Sequence, residues 1–251
     1  MANVTNAKFI ASVSFGKDSL AMLLRLIEEK YPLDVVVFYD TGMEFDAIYR
    51  IRDKIVPLLS EVGIKYVELH PSEPFLYTML KRPVHSVRGG LKHGYGWCGG
   101  LCRWGTSEKL RAIKKFKKSL GDTVIDYVGI ASDEQDRFEK AKSDGKRLPL
   151  VEWGMTEQDC LDYCHSKGWF WLENTELGAV DLYSILDRVS CWCCCNKNLK
   201  ELKNIYIHLP NYWEKLKALQ SQMSRPFKGY YKNQPKGIFE LEERFSKETR
   251  S

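Results

Sequence analysis

Short apolar runs along the chain alternate with stretches in which apolar residues recur every three or four positions. Phe9-Ile10-Ala11-Ser12-Val13 reads as a short buried strand. After a glycine turn, Leu20, Leu23, Leu24 and Ile27 fall on one face of a helix over about 18–29. Val35-Val36-Val37-Phe38-Tyr39 is continuously apolar, as expected of a strand buried on both faces of a parallel sheet. Ile48, Ile51, Ile55, Leu58, Leu59 and Val62 predict a second helix, and Lys65–Leu69 a third strand. Residues 71–103 show no clean period and carry Gly89, Gly90, Gly94 and Gly96, so they predict a long functional loop or lid. Beyond it the pattern predicts a basic helix over about 106–118 with Leu110, Ile113 and Phe116 inward, and a fourth strand over 124–130. Thr156 is placed to cap a helix with Glu157 and Asp159 in its first turn, running to about Lys167. Two short amphipathic helices, over about 198–207 and 212–223, and a polar tail of helical character follow. The alternation predicts an α/β fold with an open, mostly parallel sheet and helices on both faces, plus a small cysteine-containing helical C-terminal part. In such sheets ligands sit beyond the carboxyl ends of the strands.

That rule draws attention to Ser14-Phe15-Gly16-Lys17-Asp18-Ser19, which leaves the first strand and opens the first helix. The first amides of a helix lack internal partners, and its dipole favours negative charge there. Gly16 permits close backbone approach, Lys17 adds a mobile cation, and Ser14 and Ser19 offer hydroxyls. The spacing is not that of a Walker-type loop. A second segment, Asp40-Thr41-Gly42-Met43-Glu44-Phe45, follows the second strand and is expected beside the first.

Together these two segments resemble the S-G-G-K-D-S loop and D-T-G-x-x-F segment of the PP-loop ATP-pyrophosphatase superfamily, in its phosphoadenylyl-sulfate reductase-like branch. Further segments resemble that branch in order: Trp97-Cys98 through Cys102-Arg103 with Lys109, Gly129-Ile130-Ala131-Ser132-Asp133-Glu134 with Arg137, Pro149-Leu150-Val151-Glu152-Trp153, and Arg188 with Cys191 and Cys194. The resemblance spans about residues 8–205. It implies that an adenine nucleotide, ATP or a relative, binds with its phosphates on Ser14, Phe15, Gly16, Lys17, Asp18 and Ser19. Asp40, Thr41 and Gly42 would lie near the adenosine, and Arg137 would meet a phosphate or sulfate. Lys17, Asp18 and Asp40 are the candidate catalytic residues, and Mg²⁺ is the expected ion. The implied division is a nucleotide-binding domain over 1–180 and a cysteine-bearing helical extension over 181–251. Two departures stand out. Phe15 replaces the first loop glycine, so an ordinary negative φ is expected there. Ala131 stands where the branch has arginine, which removes one anion contact.

Eight cysteines change the picture further. No apolar run approaches the ~18–20 residues needed to span a bilayer. Met1–Lys8 lacks the apolar core of a signal peptide, so the protein is read as cytoplasmic. In that compartment clustered cysteines point to metal or thiol chemistry, not disulfides. Cys98 and Cys102 form one pair and Cys191 and Cys194 another. By resemblance the four are candidate ligands of a [4Fe–4S] cluster, with zinc as the alternative. Cys193 and Cys195 sit beside the second pair and leave the choice of ligands open. Cys160 and Cys164, at i and i+4 of one helix, are expected to pack in the core.

Charge adds a partner class. The net charge of +5 is modest, but Pro74–Ser107 has no acidic residue and carries Lys81, Arg82, Arg88, Lys92 and Arg103. Lys215–Phe239 is also free of acids and carries Arg225, Lys228, Lys232 and Lys236, with Phe227, Tyr230 and Tyr231 among them. Such stretches suit an anionic partner, including a nucleic-acid substrate. Three readings follow. The first is a PP-loop enzyme that adenylates a substrate with ATP and transfers sulfur, a transferase served by a sulfur donor or redox partner. The second is a sulfonucleotide reductase. The third is a zinc-stabilised nucleic-acid-binding module without activity. No cysteine follows Cys195, where reductases of the branch carry a late catalytic thiol; this argues against the second. The intact Lys17-Asp18-Ser19 argues against the third.

Overall fold

The computed structural model describes residues 7–85, 89–121, 123–141, 146–176 and 178–250. Arg88 of the first basic stretch and the start of the N-terminal segment lie outside them. The chain folds as two compact units, each assembled from separate segments.

The first unit, Met1–Asp40, Asp46–His70 and Lys109–Trp171, holds the sheet. Its strands are β1 (Lys8–Val13), β2 (Val35–Tyr39), β3 (Lys65–Leu69), β4 (Val124–Val128) and the two-residue β5 (Lys146–Arg147). They pair in the order β3-β2-β1-β4-β5, every pair parallel. The helices are α1 (Lys17–Glu28), α2 (Asp46–Glu61), α3 (Lys109–Ser119), α4 (Gln135–Ala141), α5 (Pro149–Glu152) and α6 (Glu157–Ser166). The five residues of β2 are all buried, as their unbroken apolar run requires. Ile10, Val35 and Val37 pack with Val67, Leu69, Phe116 and Leu120 into one apolar cluster. Thr156 caps α6 in a reciprocal box: its hydroxyl accepts from the Asp159 amide, and Asp159 accepts from the Thr156 amide. Cys160 and Cys164 of α6 are fully buried, as their spacing on one face predicts.

The basic helix departs from expectation at one residue. Leu110 is 58% exposed, whereas Ile113 is buried and Phe116 reaches the sheet cluster. Steps of three residues walk the stripe around a helix by roughly 60° each, at about 100° per residue, so the first of the three falls off the inward face.

The second unit comprises Thr41–Phe45, Pro71–Glu108 and Leu172–Ser251. The chain passes between the units several times. The stretch 71–103 is not the structureless loop its missing periodicity suggests. It folds into a helix, Phe75–Leu80, and an antiparallel hairpin, Pro83–His85 with Leu91–His93. Trp104 anchors it: the indole stacks on Phe75 with ring centroids 4.2 Å apart and donates to the Thr78 hydroxyl at 2.7 Å. The elements are too short for a period to emerge. The C-terminal third carries helices Leu199–His208, Pro210–Gln220 and Ile238–Arg250. The last buries Ile238, Leu241 and Phe245, so the tail that reads as polar is an amphipathic helix.

β4 runs on into Gly129, which packs against the first turn of α1. A Cβ there would stand 2.9 Å from Ser19 Cα and 3.0 Å from its amide nitrogen. Only glycine lets the backbones approach so closely. Gly129→Ala is therefore expected to lower stability by about 1–3 kcal/mol, measured by urea unfolding. An unchanged midpoint would contradict this packing.

Candidate functional site

β1 ends at Val13, and the chain turns through Ser14-Phe15-Gly16 into α1. Phe15 has φ of 56°, in the left-handed region, not the negative φ expected of a non-glycine residue. The loop keeps the backbone geometry that glycine would give it, and side-chain packing holds it there. The Phe15 ring is fully buried, 5.0 Å from Phe38 and 6.4 Å from Tyr66 between centroids. The indole of Trp171 donates to the Phe15 carbonyl at 2.7 Å. A left-handed residue costs roughly 1–2 kcal/mol, which a buried phenyl ring offsets.

Gly16 is the N-cap of α1, and no side chain caps the helix. The Ser19 hydroxyl closes the loop, accepting from the Ser14 amide at 3.1 Å and donating to the Gly16 carbonyl at 3.1 Å. The Ser14 and Ser19 hydroxyls lie 3.2 Å apart. Lys17 is buried, with its ammonium 2.6 Å from Asp18 and 3.4 Å from Glu157. Burial pushes the Asp18 carboxyl above its usual range, against the pull of Lys17. An anion arriving at the loop meets an ammonium already paired with two carboxylates. A cation accompanying the anion would relieve the resulting crowd of negative charge.

Arg137, expected to meet an anion, is half exposed on α4 and ion-paired with Glu134. Asp40, just past β2, is buried and accepts from the Tyr49 hydroxyl at 2.8 Å. Sequence reasoning missed two groups beside it, Glu68 and His70 at the end of β3. One oxygen or ring nitrogen from each of Asp40, Glu68 and His70 lies within 4.8 Å of the others. His70 Nε2 is 3.4 Å from Glu68, whose other oxygen accepts from Tyr66 at 2.5 Å. The signal was present in register: both residues stand at the carboxyl end of the strand beside β2.

The other cysteines and the rest of the Asp-Thr-Gly turn belong to the second unit. Gly42 has φ of 76°, which the turn needs. The Thr41 hydroxyl donates to Glu44 at 2.8 Å, and the Trp192 amide donates to the Met43 carbonyl at 3.0 Å. Cys191 therefore lies against this turn, its Sγ 3.5 Å from Thr41 Oγ1 and 3.6 Å from Glu44 Oε1.

The two cysteine loops meet through Asn196. Its side-chain oxygen accepts from the Gly100 amide at 2.8 Å, and its amide group donates to the Gly100 carbonyl at 2.9 Å. Clamped together, Cys98 and Cys102 come within electrostatic reach of Cys194 and Cys195. Burial pushes the Cys98 and Cys102 thiols up, the Cys191 and Cys193 thiols well up, and Cys195 to about 11. Lys197, itself buried, sits among them with its ammonium 3.1 Å from Ser190 Oγ and 5.4 Å over the Phe45 ring.

Residues 8–127 match the family model of the phosphoadenosine phosphosulfate reductase domain. The parallel sheet that begins in this stretch agrees with that match, so the chain is similar to this family over its N-terminal half. It is also similar to an uncharacterized protein of Methanocaldococcus jannaschii, MJ0066. The two are 26% identical over 211 residues, which covers 82% of this chain and 40% of that protein. This chain thus spans well under half the length of that relative. Among the described residues no helix is long and apolar enough to cross a membrane.

The geometry of Phe15 makes an ordering testable by denaturation. Phe15→Gly loses the ring but sheds the strain; Phe15→Ala loses the ring and keeps it. Alanine is expected to be the more destabilising, by about 1 kcal/mol. At an ordinary negative φ the order reverses, because glycine there costs more than alanine.

Proposed function

We propose that this chain is a PP-loop enzyme that binds ATP or a related adenine nucleotide on Ser14–Ser19. In this reading it adenylates an oxygen of an acceptor, which then takes sulfur. The uncapped helix start at the carboxyl end of the central strand, with Lys17 and Ser19 at its mouth, carries the reading. Backbone amides around Phe15–Asp18 hold the phosphates. Lys17 would move from its carboxylate partners onto them, and Asp18, so released, would be free to hold a Mg²⁺ ion that neutralises phosphate charge. Asp40, Thr41 and Gly42 flank the adenosine, and Arg137 exchanges Glu134 for a phosphate oxygen. The acceptor oxygen attacks the α-phosphorus and pyrophosphate leaves; a sulfur nucleophile then displaces AMP.

The thiols fit a metal centre. Six stand in the second unit, and burial disfavours the thiolates of Cys98, Cys102, Cys191, Cys193 and Cys195 unless a cation replaces the protons. The buried indole Nε1–H of Trp97, next to Cys98, has no hydrogen-bond partner among the described residues and would suit a sulfide acceptor. By resemblance a [4Fe–4S] cluster is favoured over a single tetrahedral zinc. Cys98, Cys102 and Cys194 would be ligands, with Cys191 as the fourth or Cys195 in its place. When bound, the cluster would supply the sulfur- or electron-handling centre.

Calorimetric titration with ATP and Mg²⁺ tests the nucleotide site. Lys17→Ala is expected to weaken binding about tenfold or more, and Ser19→Ala less. Equal affinity in wild type and both variants contradicts the assignment. Iron, zinc and sulfide analysis of protein purified without oxygen tests the metal site. Serine at Cys98, Cys102 or Cys194 is expected to remove the metal, and Cys160→Ser to retain it. Comparison of Cys191→Ser with Cys195→Ser identifies the fourth ligand. Metal lost from Cys160→Ser but kept in Cys194→Ser refutes the ligand set.

A further inference from the structure

The second unit ends in a small hairpin that the chemistry above does not use. Tyr230–Tyr231 pairs antiparallel with Gln234–Pro235, and Lys232 and Asn233 make the tight turn with φ of 48° and 61°. Two-residue strands are not stable alone, and this hairpin is rooted. The Lys228 amide donates to the Lys236 carbonyl, and the Lys236 amide to the Gly229 carbonyl, each at 2.8 Å. The Lys228 ammonium donates to the carbonyls of Cys195 and Lys197 at 2.7 and 2.8 Å. Phe227 is buried edge-on against Trp97, 4.6 Å between centroids. The base is thereby fixed to both cysteine loops.

The tip projects polar aromatic surface. Tyr230 is 64% and Tyr231 58% exposed. Successive strand residues face opposite ways, so each face of the ribbon presents one ring. Lys232 and Lys236 hold their ammonium groups 5.7 and 4.4 Å from the centre of the Tyr231 ring. No acid lies between Lys215 and Phe239 to neutralise them. Flat rings for stacking, flanked by cations in a stretch without acids, match an unpaired polynucleotide, whose bases are free to stack and whose phosphates need cations. A lipid surface would instead call for aliphatic side chains at the tip, and the tip has none.

We propose that the Lys228–Lys236 hairpin is a binding site for single-stranded nucleic acid that brings the strand up to the cysteine loops. The inference is independent of the reaction proposed above, since it is read by binding alone. The test is fluorescence anisotropy of the full chain with short labelled single-stranded RNA and DNA, a duplex of the same sequence, and vesicles of anionic lipid. Wild type is expected to bind the single strands in preference to the duplex. Tyr230→Ala with Tyr231→Ala should weaken binding at least roughly tenfold. Lys232→Gln with Lys236→Gln should flatten the log–log salt dependence by roughly 1.4. Thermal unfolding should stay nearly unchanged in both double variants, because Tyr230, Tyr231 and Lys232 are exposed and Lys236 is only half-buried. Lack of binding by wild type overturns the proposal. So does affinity untouched by both double variants, equal affinity for duplex, or binding to the vesicles alone.

Discussion

Phe15 turns the chain out of the central strand with a backbone that L-residues avoid, and drives its ring between Phe38 and Tyr66. Everything at the loop depends on that exchange. The turn must be tight for Gly16 to start α1 directly beneath the end of β1, and the helix start must lie open for its amides to meet an anion. In the resembling family glycine meets this demand by freedom. Here packing meets it, with the Trp171 indole bonded to the Phe15 carbonyl as a second restraint. Backbone strain confined to a ligand-binding turn and stabilised from behind is a recurrent device for holding a site ready before its ligand arrives.

The same logic extends to the neighbours. Gly129 allows β4 to press against the first turn of α1, so the loop is fixed from the side as well as from behind. Lys17 and Asp18 neutralise one another at the mouth while burial works against the Asp18 charge. In the proposed reading such a pair separates when a phosphate and a divalent cation take one partner each. In the second unit, Asn196 joins two loops that lie nearly a hundred residues apart, and their thiols come within electrostatic reach.

Much of this was legible in the sequence. The unbroken apolar run of β2, the stripe of α1 and the capping box at Thr156 each carry a local cause, and each stands where expected. The order of motifs located the loop and the cysteine segments. What escaped was of two kinds. Short elements, such as the Phe75–Leu80 helix and its hairpin, leave no period to read, and a long amphipathic tail looked polar because three buried residues are few among thirteen. Tertiary compensation was the other: nothing near Phe15 announces Phe38, Tyr66 and Trp171, and nothing near β2 announces Glu68 and His70. The choice among Cys191, Cys193, Cys194 and Cys195 likewise rests on which loop each thiol faces.

The central claim is that the amides at the start of α1 take the phosphates of an adenine nucleotide. Amide hydrogen exchange, followed with and without ATP and Mg²⁺, reads those groups directly. The account predicts that exchange slows in the peptide spanning Ser14–Ser19 when nucleotide is added, with Cys160–Ser166 of α6 unchanged. Nucleotide binding that leaves exchange at Ser14–Ser19 unaltered while protecting another segment would contradict it.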